Sequence, residues 1–336
     1  MNQSNYVKTA YNEPFIPNRA DPYVICHQNT YYFTGSVPEY DRIVLRKASA
    51  LGELRTAEER VIWRKHKEGI MSIHIWAPEL HYVNGRWYIY FAAGDKDDIW
   101  KIRPYALVCA GDPMADEWRE LGQMAGADEF TFQDFSLDMT VFEHRKEWYC
   151  IWAEKVSIGK KISNLYIARL ETPWKLATQQ VLLTSPDYEW EREGFWVNEG
   201  PAVLFHDERI YLTYSASSTG ACYCMGLLSI GKDQDILDPS NWIKEKEPVF
   251  RTDEAKGLFG PGHNSFVQLP ESDEVIMIYH ARPYDEIAGD PLYDPNRHTY
   301  LGRVRWTEKG PRFAAVPWLE IINRTGNGTT SFSKEK

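Results

Sequence analysis

Five stretches of this chain repeat one arrangement: a lead residue, a short apolar run, a turn, and a second run rich in aromatic or branched residues. The leads are Asp21, Ala77, Asp138, Glu199 and His263, a repeat of roughly sixty residues, and such a period marks a modular architecture. Each repeat holds several short alternating strands separated by turn signals, which predicts an all-β fold with one propeller blade per repeat. A five-bladed β-propeller brings the start of every innermost strand to one central axis. Three of the five starts are carboxylates, Asp21, Asp138 and Glu199, so the pattern that fixes the fold also concentrates acid at one place.

The repeat runs evenly through the 336 residues, so a single catalytic-size domain is expected over 1–322, followed by a flexible tail over 323–336 rich in Gly, Ser, Thr and Lys. Within it, Asn84-Gly85 between alternating runs is the strongest hairpin signal, because both residues tolerate positive φ. Further turns are expected at Gln28-Asn29, Pro38-Glu39, His144 to Lys146 and His206 to Glu208. Residues 54–67 lack a clean apolar face and read as loop and outer strand. Polar insertions over 126–135 and 187–195 precede the third and fourth lead strands, where loops approach the axis and commonly build sites. The stretch from Asp290 to His298 is too polar and proline-rich for a strand, and Leu301 to Trp306 reads as a strand again.

Composition limits the partners. A formal net charge of −10 disfavours nucleic acid and anionic membrane, and no apolar run reaches the length of a bilayer span. The first fifteen residues lack a basic region followed by an apolar one, and the five cysteines are scattered and odd in number, which suits reduced thiols. Both features lead to the expectation of a cytoplasmic protein, in which the sequons at Asn323 and Asn327 stay unused. Cys222 and Cys224 share a strand face and read as a buried thiol pair rather than a metal site. Aromatic residues make up 14% of the chain, including 13 Trp and 20 Tyr. Most are expected to pack between blades, and some to offer flat faces to the C–H side of a sugar.

Three carboxylates around one axis cannot all ionise easily, because burial and like charge raise their pKa values. One should hold a proton near neutrality. Cleavage of a glycosidic bond needs that division, an acid for the leaving oxygen and a base for water, with a third carboxylate free to tune and orient the acid. Placement on different blades favours wide separation and an inverting single displacement. Any one such residue has a plainer use, as an acceptor for neighbouring backbone N–H groups, but three at matching starts are harder to explain in that way.

The motifs carrying these residues resemble those of glycoside hydrolase family 43, five-bladed enzymes acting on arabinose- and xylose-containing polymers. Arg19-Ala20-Asp21-Pro22-Tyr23 is similar to the family's general-base motif, Ser136 to Phe142 to the segment with its tuning aspartate at Asp138, and Val197-Asn198-Glu199-Gly200-Pro201 to its general-acid motif. The resemblance runs from about Pro14 to Trp318 and also covers Ile75-Trp76-Ala77-Pro78-Glu79, whose Trp76 it places beside the bound sugar. It implies that His263, in Gly260-Pro261-Gly262-His263-Asn264, lies at the bottom of the axis, either simply hydrogen-bonded or reaching a calcium ion through water. No other cofactor is implied. It further implies that Arg282 points into the pocket to meet a sugar hydroxyl and the base, or to neutralise the acidic cluster. Phe33 to Asp41 and Asp294 to Thr299 look most like exo-acting α-1,5-L-arabinofuranosidases, so the expected partner is an arabinose-containing oligosaccharide or polysaccharide. A β-xylosidase on the same scaffold and a propeller that only binds carbohydrate are the alternatives; the second has no use for three mutually repelling carboxylates.

Overall fold

Alternating apolar and polar residues between turn pairs give strands almost everywhere: among the described residues there are 21 β-strands and one α-helix. The computed structural model describes residues 8–155, 162–270, 272 and 274–325. The expected turns fall in place, with left-handed φ at Gln28, Asn29, Asn84, Gly85, Arg145, Lys146 and Asp207. Residues 54–67 hold the end of a 3-10 helix, Leu51–Arg55, and the strand Arg60–Arg64.

The strands form five consecutive antiparallel meanders, whose lead strands are Ala20–His27, Ile73–Val83, Ser136–His144, Trp196–His206 and Phe259–Gln268. Three meanders are separate four-stranded sheets, and the third and fourth are joined into one path by a short parallel pairing of Ile162 with Trp196 and Ser163 with Val197. Each lead strand touches the next, and the last touches the first. Five apolar clusters lie between neighbouring meanders. Tyr32 and Trp87 share one, Tyr90 and Trp152 the next, then Ile151 and Ile210, then Leu204 and Tyr279, and finally Phe33 with Ile278 across the two ends of the chain. The aromatic excess is thus spent largely on packing between meanders.

The expected tail needs correction at its start, because Trp318–Thr325 is an α-helix. Its apolar side buries Ile321 and packs Trp318 and Ile322 against the cluster that holds Phe15, Leu51 and Leu54 and joins the first and last meanders. A segment that buries one large apolar side chain and half-buries two more does not remain loose. The expected tail beyond residue 325 lies outside the described residues.

Candidate active site

Every lead strand carries the same β-bulge. Pairing steps from Ala20↔Ser36 to Tyr23↔Thr34, from Trp76↔Ala92 to Glu79↔Tyr90, from Leu137↔Ala153 to Thr140↔Ile151, from Glu199↔Ser215 to Ala202↔Thr213, and from Gly262↔His280 to Ser265↔Ile278. In each, two residues face one, and the first of the two is left-handed: Asp21 (φ 50°), Ala77 (46°), Asp138 (55°), Gly200 (54°) and His263 (44°). The true structural repeat therefore puts Gly200, not Glu199, level with Asp21 and Asp138. Glu199 stands one residue earlier, at the position that Trp76 occupies in the second meander. The prolines Pro22, Pro78 and Pro201, each just after the left-handed residue, carried this register in the sequence; the bulge tolerates them because it leaves a ladder N–H unused.

The left-handed residues are stitched across the meanders. Asp21 N–H donates to His280 Nδ1 (3.1 Å), Ala77 N–H to Ser36 Oγ (2.8 Å), Gly200 N–H to Asp138 Oδ2 (3.1 Å) and His263 N–H to Ser215 Oγ (2.7 Å). Each donor thus borrows an acceptor from the meander before it, and the first borrows from the last. Strained backbone is held by its neighbours, as strained sites require.

Asp21 is buried among cations and donors. Ser36 Oγ–H donates to its Oδ2 (2.5 Å), and its Oδ1 lies 3.4 Å from Arg297 Nη1 and 3.3 Å from both His263 Nδ1 and His280 Nδ1. Burial alone pushes its carboxyl up, but the charge of Arg297, with the imidazole of His263, outweighs this and holds it well below the usual range. Burial also takes His280 down to about 3, so that ring stays neutral.

Asp138 and Glu199 sit in the opposite field. Burial and the charge of Asp21 raise Asp138 well above its ordinary value, and Glu79 adds repulsion, against one stabilising N–H from Gly200. Glu199 is pushed up to about 7 by burial and by Asp138, while the Tyr223 hydroxyl, donating to its Oε1 at 2.8 Å, pulls the other way. The site therefore drives its carboxyls apart, Asp21 toward the ionised form and Asp138 and Glu199 toward the protonated one. The insertion over 187–195 steadies this strand: buried Glu191 accepts from Asn198 Nδ2 (3.0 Å), Tyr214 hydroxyl (2.8 Å) and Lys244, fixing the residue beside Glu199.

The structure brings Asp21, Asp138, Glu199 and His263 together. His263 Nδ1 stands 3.3 Å from Asp21 and 3.8 Å from Asp138. Among the described residues no three His, Cys, Asp or Glu side chains are arranged to hold a metal, so the donor set does not fit a directly ligated cation. Trp76 packs edge-on to Tyr40 at 5.8 Å, and Tyr40 accepts from Arg297, which connects the tryptophan to the Asp21 corner.

Arg282 departs from expectation. Its guanidinium bonds Asp294 (3.4 Å) and the carbonyls of Thr219 and Pro291, tying two loops together, and does not bond Asp21. Arg297 takes that place, from the end of a loop that the sequence marked as non-strand and as a family-like segment without singling out this residue. Burial and the neighbouring Arg297 charge lower Arg282 to about 10. Sequence reasoning also missed His280, which belongs to an ordinary strand, and Tyr223, which lies just before one; neither carried a signal.

A family model described as "Glycosyl hydrolases family 43" matches residues 11–311. An extracellular exo-α-(1→5)-L-arabinofuranosidase of Streptomyces avermitilis is 44% identical over 309 residues, which is 91% of this chain and 63% of that protein. The chain thus spans less than two thirds of that relative's length. A second enzyme of the same name, from Streptomyces chartreusis, is 44% identical over 84% of this chain and 85% of its own. The crystal structure of an α-L-arabinofuranosidase from Lactobacillus brevis superposes with a TM-score of 0.84 at 47% identity, covering 89% of this chain and 95% of the other. The word extracellular in two of these names overturns the expectation of a cytoplasmic protein and points to a secreted one. The cysteines were poor guides to compartment: burial raises the thiol of Cys224 to about 12 and that of Cys150 well up, so these two carry little thiolate to oxidise in any compartment.

Proposed function

The chain belongs to glycosyl hydrolase family 43, and from that premise we propose an inverting exo-glycosidase that releases terminal α-L-arabinofuranosyl units from arabinan or arabino-oligosaccharides. We read the five meanders as blades of one closed five-bladed propeller. The cyclic contacts of the lead strands, the apolar cluster shared by first and last meanders, and the bond from Asp21 N–H to His280 support this reading.

In this mechanism Asp21, ionised by its cationic surroundings, takes a proton from water as the water oxygen bonds to the anomeric carbon. Glu199 gives its proton to the glycosidic oxygen as that bond breaks. Asp138 disfavours ionisation of Glu199 beside it and accepts the Gly200 N–H, which ties it to the strand carrying the acid. Trp76 lines the sugar site and His263 bridges base and tuner. One observation carries the proposal: carboxylates gathered around His263 are driven apart, Asp21 down and Glu199 up to about 7.

The test uses two leaving groups. Glu199→Gln should lose most activity on arabinotriose and far less on an aryl α-L-arabinofuranoside whose leaving group needs little protonation. Equal losses would remove Glu199 from the acid role. The anomer first formed by the wild type, read by proton NMR, should be inverted. A faster rate on aryl β-xyloside than on the arabinofuranoside would replace the substrate assignment.

A further inference from the structure

Two large rings stand out from the enclosed site, Trp100 at 52% and Tyr293 at 56% exposed, and both are held in place by one buried histidine, His74. The His74 imidazole stacks on Trp76 with centroids 4.4 Å apart and planes 23° from parallel. The Trp100 ring lies 5.4 Å from it on one side and the Tyr293 ring 6.5 Å away on another. His74 Nδ1–H donates to the carbonyl of Ile99, the residue before Trp100, at 3.0 Å, and Nε2 accepts from the Tyr293 hydroxyl at 3.3 Å. Burial lowers the pKa of this ring, so the neutral tautomer that these two bonds require is the resident one.

The Tyr293 segment is fixed from behind as well, since the Tyr40 hydroxyl donates to Leu292 O and Arg282 Nη2 to Pro291 O (2.7 Å). An unbroken path of rings therefore leads from Asp21 and Arg297 through Tyr40, Trp76 and His74 to two exposed aromatic faces. Exposed rings that are pinned by hydrogen bonds lose little entropy when something lies on them. The occupant must be continuous with whatever fills the pocket, uncharged, and able to present an apolar C–H face.

We propose that Trp100 and Tyr293 form a stacking platform for the sugar units on the leaving-group side of the scissile bond. The proposal rests on the glycosidase reading above and deepens it: longer arabino-oligosaccharides gain binding that an aryl monosaccharide glycoside does not.

The experiment measures kcat/KM of the full chain and its Trp100→Ala, Trp100→Phe and Tyr293→Ala variants on α-1,5-arabinotriose and on 4-nitrophenyl α-L-arabinofuranoside. In both alanine variants the trisaccharide-to-aryl ratio should fall about tenfold, mostly through KM, a change of about 1.4 kcal/mol. Trp100→Phe, which keeps a ring, should recover most of it. An unchanged ratio, or Trp100→Phe falling as far as Trp100→Ala, overturns the platform. Should the wild type cleave neither glycoside, the glycosidase reading fails separately. Calorimetry of arabinotriose binding then decides the platform, with equal affinity for wild type and Trp100→Ala refuting it.

Discussion

Glu199→Gln should make the protein more stable as well as less active, and the gain should depend on pH in a defined way. In the fold the Glu199 carboxyl is raised from an ordinary value near 4.5 to about 7. A carboxyl whose folded value lies above its unfolded value binds its proton more tightly in the fold, so it lowers stability once pH passes the unfolded value, and fully above the folded one. At 1.36 kcal/mol per pH unit the ceiling is about 3 kcal/mol. Glu199 is half-buried, so solvent screening brings the expected figure to about 2 kcal/mol. Glutamine keeps an oxygen for the Tyr223 hydroxyl and removes the charge. Urea unfolding at pH 4, 6 and 8 reads the effect: wild type and variant should match within about 0.5 kcal/mol at pH 4, and the variant should lead by about 2 kcal/mol at pH 8. A difference that is flat with pH, or a wild type that stays the more stable at pH 8, would show that the acid is not held protonated by its surroundings.

Tyr223→Phe removes a donor that favours the ionised form of Glu199; a charge-assisted bond of about 1.5 kcal/mol should move the alkaline limb of the kcat/KM profile up by about one pH unit, and a downward move refutes the assignment. Arg297→Met withdraws the main charge that keeps Asp21 ionised, so the acid limb should rise by about one to three pH units while the alkaline limb moves less. Gly200→Ala puts a Cβ in left-handed backbone 3.1 Å from the His263 ring. Thermal unfolding should show a loss of about 1–2 kcal/mol from backbone alone, and kcat should fall through displacement of His263; unchanged stability would contradict the bulge geometry.

Much of the site was legible because acidic side chains on lead strands are rare enough to stand out against strand pattern. Asp21, Asp138 and Glu199 could be read without knowing where any loop goes. The exchange of Arg282 for Arg297 could not. Arg282 lies on a regular strand, and its direction is set by carbonyls of Thr219 and Pro291 that only the folded loops bring within reach. Arg297 ends an irregular segment, where no periodicity predicts which way a side chain points. His280 acts through the seam between the last and first meanders, and a contact made across more than two hundred residues leaves no local mark; Tyr223 reaches Glu199 within one meander, from a position just before a strand. The boundary at 322 missed by three residues for a different reason: the helix Trp318–Thr325 runs past it, and Gly-, Ser- and Thr-rich sequence nearby gives no sign of where its last turn ends.

The one-residue offset of Glu199 shows what the repeated bulge contributes to the chemistry. Asp21 and Asp138 occupy the same bulge position with nearly the same left-handed φ, yet their carboxyls are driven in opposite directions. Position in the repeat therefore does not set the role; the flanking meanders do. Asp21 receives Ser36 from its own second strand, His263 and His280 from the last meander and Arg297 from the following loop, whereas Asp138 faces Asp21 and Glu79 and receives one backbone N–H. Placing Glu199 at the preceding residue, on a neighbouring lead strand, lets the Gly200 N–H hold Asp138 while Glu199 itself reaches Tyr223 on the far side. In the proposed mechanism the bulge thus lets one strand anchor Asp138 through the Gly200 N–H and present Glu199 from the residue before it.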